Sequence, residues 1–164
     1  MALAHAKAAA IRARLKAPLP KLQPGTGGAA ALPALLITSD QVVVHKGLIL
    51  EKPEGAAQAR AVIRGYGAAP ARTCGAIVVT NLVSGAVAAA LDSATVHFRP
   101  IPEDTIEALI AEGEVFYCAG GLMVEHPLVA PHVERMEGGM DSIMGLSKAL
   151  TQQLLIEAAG GVVA

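Results

Sequence analysis

Asp40 stands where a catalytic carboxylate could act, because Thr38-Ser39-Asp40-Gln41 directly follows the apolar run Leu35 to Thr38. In open α/β sheets ligands collect at the carboxyl ends of strands. A carboxylate there can act as a general base or hold a divalent cation, and the same residue type also caps turns. Lys52, between Glu51 and Pro53, is the second candidate. Its ammonium is a point charge suited to phosphate oxygens, and equally an ordinary solvated lysine in a turn. Both residues could face one cleft. A third group is Cys118-Ala119-Gly120-Gly121 followed by Glu125 and His126. Paired glycines let a ligand approach the backbone, and a Glu125 carboxylate could accept hydrogen bonds from the N–H groups of a base; a glycine bend beside a structural acid is the alternative.

Other chemistries lack their patterns. His126, His132 and Glu134 have no HExxH or paired HxH spacing, so metal ligation by histidine is not expected. Cys74 and Cys118 form no CxxC, zinc or haem motif, which points to reduced thiols in an intracellular protein. No nucleophile elbow surrounds any serine or cysteine. Gly25-Thr26-Gly27-Gly28 lacks the lysine of a phosphate-binding loop and reads as a linker. With 2% aromatic residues and no basic stripe, nucleic acid is not an expected partner. Hydrophobic residues make up 53% of the chain, yet charges or glycines interrupt every apolar run. None reaches the roughly 18 residues of a membrane span, so no membrane partner is expected.

The elements that would position these groups follow from periodicity and breakers. Ala2 to Ala17 has helical spacing and stops at Pro18 and Pro20, and a flexible Gly/Pro loop follows over about 18–33. Leu35 to Thr38 is a short strand. Val42 to Val44 and Leu48 to Leu50 make a hairpin around His45-Lys46-Gly47. Gly55 to Tyr66 is a helix with Ala56, Ala59, Val62 and Ile63 inward. Arg72 to Asn81 and Gly85 to Phe98 are strands joined by a Val83-Ser84-Gly85 turn. Pro102 to Glu112 has the proline and acids of a helix start. An apolar run over Val115 to Ala119 and a loop through His126 and Pro127 precede a last helix, from about Asp141 or Gly145 to Ala158, which ends at Gly160 and Gly161. Strands alternating with helices, some as hairpins, imply an α/β fold with a mixed twisted sheet flanked by helices.

At 164 residues the chain reads as a single domain over 1–164, long enough to bury a core without staples. Its net charge of −1 combines a +5 segment, residues 1–39 with five Lys or Arg and no acid, and a −6 segment, residues 40–164 with eight bases and fourteen acids. The basic start is either a surface helix or an organelle transit peptide, although the first serine is only Ser39. A cytoplasmic location is expected, with plastid or mitochondrion as the alternative.

Taken in order, six stretches resemble the Maf family of nucleoside triphosphate pyrophosphatases. They are Ala2 to Leu15, Ile37 to Val44 (ITSDQVVV), Gly47 to Pro53 (GLILEKP), Val96 to Pro100, Cys118 to Glu125 (CAGGLMVE) and Met136 to Leu146 (MEGGMDSIMGL). The resemblance implies a Maf/ITPase-like fold, a divalent cation such as Mg²⁺ or Mn²⁺, and hydrolysis of a nucleoside triphosphate to the monophosphate and pyrophosphate. It makes Asp40 the catalytic carboxylate and metal ligand, and Lys7 and Lys52 phosphate-binding lysines. Gln41 and Glu125 match positions at which subgroups differ, and their combination resembles the 7-methyl-GTP type. The family is commonly dimeric, which implies a homodimer. Members also carry a strand and a Ser-x-Ser-x-Arg-Arg loop ahead of the first matched stretch, absent from these 164 residues. An N-terminally truncated fold with an open sheet edge beside the Asp40 strand is expected. The enzyme is then expected to be impaired for want of that loop, and the alternative is a non-catalytic homodimerising or nucleotide-binding protein that binds nucleotide weakly or not at all.

Overall fold

The computed structural model describes residues 1–15 and 34–161, so the expected loop over 18–33 lies outside the described residues. In chain order the elements are α1 (Ala2–Arg14), β1 (Leu35–His45), β2 (Leu48–Leu50), α2 (Ala56–Gly65), β3 (Ala71–Asn81), β4 (Val87–Phe98), α3 (Glu103–Glu112), β5 (Val133–Glu137), α4 (Met140–Ile143) and α5 (Lys148–Ala158). The fold is α/β, with helices flanking a five-stranded sheet in the order β2-β1-β3-β4-β5. The chain divides into two compact units. The first holds Met1–Asp40, Ala76–Leu91 and Leu146–Ala164, and the second holds Gln41–Gly75 and Asp92–Gly145.

In the first unit, α1 presents alanines inward. Ala4 and Ala8 pack with Ala76 and Val78 of β3, and the missing side-chain bulk lets the helix lie close to the strand. Close approach allows the buried Thr38 hydroxyl to donate to the Ala4 carbonyl at 3.0 Å, which satisfies a polar group that burial would otherwise penalise. Leu154 and Ala158 of α5 pack with Ile77, Val79 and Ala88. Ser147 caps this helix, its hydroxyl accepting from the Leu150 N–H at 3.4 Å. The expected final helix is therefore interrupted: Gly145, at φ 109°, breaks it into α4 and α5. At the β3–β4 turn the Asn81 side chain accepts from the N–H groups of Val83 and Ser84 and donates to the Ala158 carbonyl at 3.1 Å.

The second unit is built around Ala59, Ile63, Tyr66, Phe98, Ile106 and Leu109. On α2, Ala59 and Ile63 are buried as expected, whereas Ala56 is exposed: it opens the helix, before the inward stripe begins. Pro102 caps α3, Glu103 and Asp104 occupy its first turn, and Gly113 ends it at φ 85°. Across α2 and α3, Arg60 makes a two-pronged pair with Glu107 at 2.5 and 2.9 Å, and Arg64 pairs with Glu103 at 2.7 Å. These pairs set helix register at the surface more than they add stability. The hairpin of β1 and β2 pairs Val43 with Leu50 and His45 with Leu48. Its turn is Lys46-Gly47 at φ 48° and 78°, the doubly left-handed turn that matches strand twist. Sequence periodicity missed β5, because Val-Glu-Arg-Met-Glu has no apolar alternation. Backbone pairing with β4 makes it a strand, Thr95 opposite Glu137 and Val96 opposite Met136.

Tyr66 carries the largest polar group in this core. Its hydroxyl donates to the Gly120 carbonyl at 2.6 Å, its ring meets His45 edge to face at 5.0 Å, and it tilts against Phe98 at 5.5 Å. Burial raises its pKa well above the usual tyrosine value. The unfolded chain therefore loses this proton first, and folding stability falls as pH rises above about 10. In urea titrations from pH 8 to 11, Tyr66→Phe is expected to be less stable than wild type at pH 8 and to show a shallower alkaline loss.

Candidate active site

Asp40 does not sit at the end of its strand. The strand continues through the polar run to His45, which places Asp40 in its middle. Partners of these polar side chains let the backbone remain extended. Thr38 bonds to Ala4, Asp40 pairs with Lys7, and the Gln41 amide donates to the Ser142 carbonyl at 2.7 Å.

Lys7 reaches Asp40 through a simple geometric correspondence. Residues three apart on a helix share a face, as do residues two apart on a strand. Ala4 and Lys7 on α1 therefore run alongside Thr38 and Asp40 on β1, and the Ala4–Thr38 hydrogen bond sets the spacing for the ion pair. The Lys7 ammonium also donates to the Ser39 carbonyl at 3.3 Å. The side chains are 45% and 23% exposed for Lys7 and Asp40, so an anion and a cation lie side by side within reach of water. Such a pair can accept a proton from water and donate to an anionic oxygen at adjacent points.

The second unit contains a cavity of about 230 Å³. Val43, Val96, Phe98 and Ile143 give it apolar walls, while Gln41, Cys118 and Glu125 supply polar groups. Glu125 is exposed and has no hydrogen-bond partner among the described residues. The segment Cys118 to Glu125 is held by its glycines. Gly120 and Gly121 have φ of 72° and 69°. A Cβ on Gly120 would lie 2.7 Å from the Tyr66 hydroxyl and 2.9 Å from Val43, and one on Gly121 would lie 3.0 Å from Pro53. The close approach that demands these glycines is therefore that of the protein's own side chains. Gly120 N–H also donates to the Glu51 carbonyl at 3.1 Å, joining the Glu51-Lys52-Pro53 segment to the same bend.

Lys52 itself is exposed. Its charge is felt at Cys118, where burial, then Glu114 and Glu125, raise the thiol pKa and Lys52 opposes them. These surroundings disfavour the thiolate, so they do not activate Cys118 as a nucleophile. The structure thus brings Lys7 and Asp40 together in the first unit, and Gln41, Lys52 and Glu125 to one neighbourhood of the second. Sequence reasoning missed Tyr66 and Ser142. One of only two tyrosines in the chain, at the end of a helix, was the available signal for the first; a backbone carbonyl gives none for the second.

Among the described residues no three His, Cys, Asp or Glu side chains cluster as a metal site. A hard divalent cation that keeps most of its waters and takes phosphate oxygens needs only one or two carboxylates, and Asp40 can supply one. Also among the described residues, no helix is long and apolar enough to cross a membrane.

Residues 1–158 match the family model described as Maf-like protein. The chain belongs to that family. It is 41% identical over 122 residues to a 7-methyl-GTP pyrophosphatase of Dictyostelium discoideum, covering 74% of this chain and 61% of that protein. It is 31% identical over 113 residues to a dTTP/UTP pyrophosphatase of Salinibacter ruber, covering 69% and 55%. A 7-methyl-GTP pyrophosphatase of Vibrio vulnificus is 32% identical over 106 residues, covering 65% and 54%. The Maf-like chain thus spans between 54% and 61% of the length of these three curated relatives.

The Gly120 bend is a direct test of this construction. Gly120→Ala combines a left-handed backbone with overlap against Tyr66 and Val43, and is expected to cost about 2–4 kcal/mol by urea denaturation. An alanine tolerated within 0.5 kcal/mol would mean that the bend can relax.

Proposed function

We propose that this Maf-like chain hydrolyses a nucleoside triphosphate to the monophosphate and pyrophosphate, with 7-methyl-GTP as the favoured substrate. The observation that carries this reading is the Lys7–Asp40 pair, a carboxylate and an ammonium side by side and open to water. Asp40 accepts the proton of a water whose oxygen attacks the α-phosphorus. The bond from that phosphorus to the bridging oxygen breaks, and pyrophosphate leaves with the oxygen. Lys7 and Lys52 donate to phosphate oxygens and offset their charge, so that catalysis is largely positioning and electrostatics. Asp40 would hold a Mg²⁺ or Mn²⁺ ion, which supplies further charge neutralisation on the triphosphate when bound.

The cavity beside Gln41 and Glu125 takes the base. Its volume of about 230 Å³ suits a ring system better than a whole nucleotide. The exposed Glu125 carboxylate is an acceptor-only group, complementary to the N1 and N2 donors of a guanine. Two of the relatives carry 7-methyl-GTP pyrophosphatase as their name, in keeping with that preference.

Replacing Asp40 by Asn removes the base while keeping its shape. Pyrophosphate release from 7-methyl-GTP with Mg²⁺ is expected to fall about 100-fold or more, within the range that general-base catalysis contributes. Unchanged turnover would remove Asp40 from the mechanism. A wild-type protein that binds 7-methyl-GTP in a thermal-shift titration but releases no pyrophosphate would instead support the second reading, a non-catalytic nucleotide-binding protein.

A further inference from the structure

One wall of the cavity in the second unit is made by a short segment with unusual construction. Residues 138–145 run Gly-Gly-Met-Asp-Ser-Ile-Met-Gly and carry α4 between two left-handed glycines, Gly138 at φ 99° and Gly145 at φ 109°. The segment is closed by its own turn bonds, Ile143 N–H to the Gly139 carbonyl at 3.1 Å and Met144 N–H to the Met140 carbonyl at 2.9 Å. It is seated at both ends. A Cβ on Gly138 would lie 2.8 Å from that of Ala94 on β4, so the backbone there is in direct contact with the sheet. The Gln41 amide holds the Ser142 carbonyl at 2.7 Å.

The product of this seating is costly in water. Ile143 and Met144 both line the cavity, yet Met144 remains 64% exposed, a large apolar side chain at the rim of a largely apolar hollow. Gln41 and the Gly138 contact hold the segment that bears it. A flat ring entering the cavity would cover it. A thioether is polarizable and has three rotatable bonds, so it can lie along an aromatic face of more than one shape.

We infer that Met144 is a base-contacting residue that favours purines over pyrimidines, because the larger ring system removes more of its side chain from water. The inference rests on the function proposed above and deepens it. It concerns area of contact, which is separate from the hydrogen-bonding edge read by Glu125.

The experiment compares binding of 7-methylguanosine monophosphate and uridine monophosphate by isothermal titration to wild type, Met144→Ala and Met144→Leu. Met144→Ala is expected to weaken the purine nucleotide roughly three- to tenfold and the pyrimidine nucleotide less, so that the ratio of the two dissociation constants narrows. Met144→Leu, which keeps the apolar area, is expected to restore the wild-type purine affinity to within about twofold. A merely structural role would not change the purine-to-pyrimidine ratio. Wild-type binding of the purine nucleotide with no loss in Met144→Ala, or equal losses for both nucleotides, overturns the role of Met144 and leaves the nucleotide site standing. Failure of the wild type to bind either nucleotide overturns both. Because the side chain is mostly exposed, all three proteins are expected to fold, which thermal melting checks.

Discussion

A buried phenol must find an acceptor, and much of the second unit is arranged so that Tyr66 finds one. Its hydroxyl meets the carbonyl of Gly120, and that single bond fixes the bend from which Cys118 and Glu125 project. Gly120 lacks a side chain because the phenol oxygen and Val43 occupy the space. Through the amide of the same residue the bend also holds Glu51, and with it the turn that bears Lys52. His45 completes the arrangement at some cost. Its Nδ1 donates to the Pro70 carbonyl at 3.2 Å, since a proline carbonyl can only accept, and Nε2 is then left buried with no partner in the structure as described. The edge-to-face contact with Tyr66 is what the imidazole gains in exchange.

The first unit depends on smallness in the same way. Four alanines or valines, Ala4, Ala8, Ala76 and Val78, make an interface thin enough for a helix carbonyl to meet a strand hydroxyl. A larger residue at Ala4 would push α1 outward and carry Lys7 away from Asp40. The ion pair is thus a result of packing two residues away, and the pair's own attraction, between partly exposed groups, is too weak to set the geometry alone.

Much of this was legible in the sequence, and the exceptions have physical causes. The hairpin at Lys46-Gly47 and the helix over 103–112 carry local signals, a glycine in a tight turn and acids after a proline, and both occur where expected. The family resemblance also stands. Local signals failed where partners distant in sequence decide the outcome. Thr38-Ser39-Asp40-Gln41 looks like a strand ending because four polar residues in a row rarely stay extended inside a protein. Their partners at Ala4, Lys7 and Ser142 lie about thirty to a hundred residues away. In β5 the reverse applies: nothing in Val-Glu-Arg-Met-Glu asks for a strand, and the ladder with β4 imposes it. The glycine pair at 120–121 leaves two readings open in the sequence, room for a ligand or a bend beside an acid, and what a Cβ there would meet, Tyr66, Val43 and Pro53, is decided by residues far away in the chain.

Placing Asp40 and Gln41 side by side within an uninterrupted strand makes the chain intolerant of small changes in length. Successive strand residues project to opposite faces, so Asp40 shares a face with Thr38, and Gln41 with Val43. Removing Ser39 would bring the Gln41 amide opposite Lys7 and withdraw the anchor from Ser142 in the same step. Lineages that diverge in loop length elsewhere should keep this segment's residue count fixed, and any attempt to graft it onto another scaffold must transfer its register along with its residues.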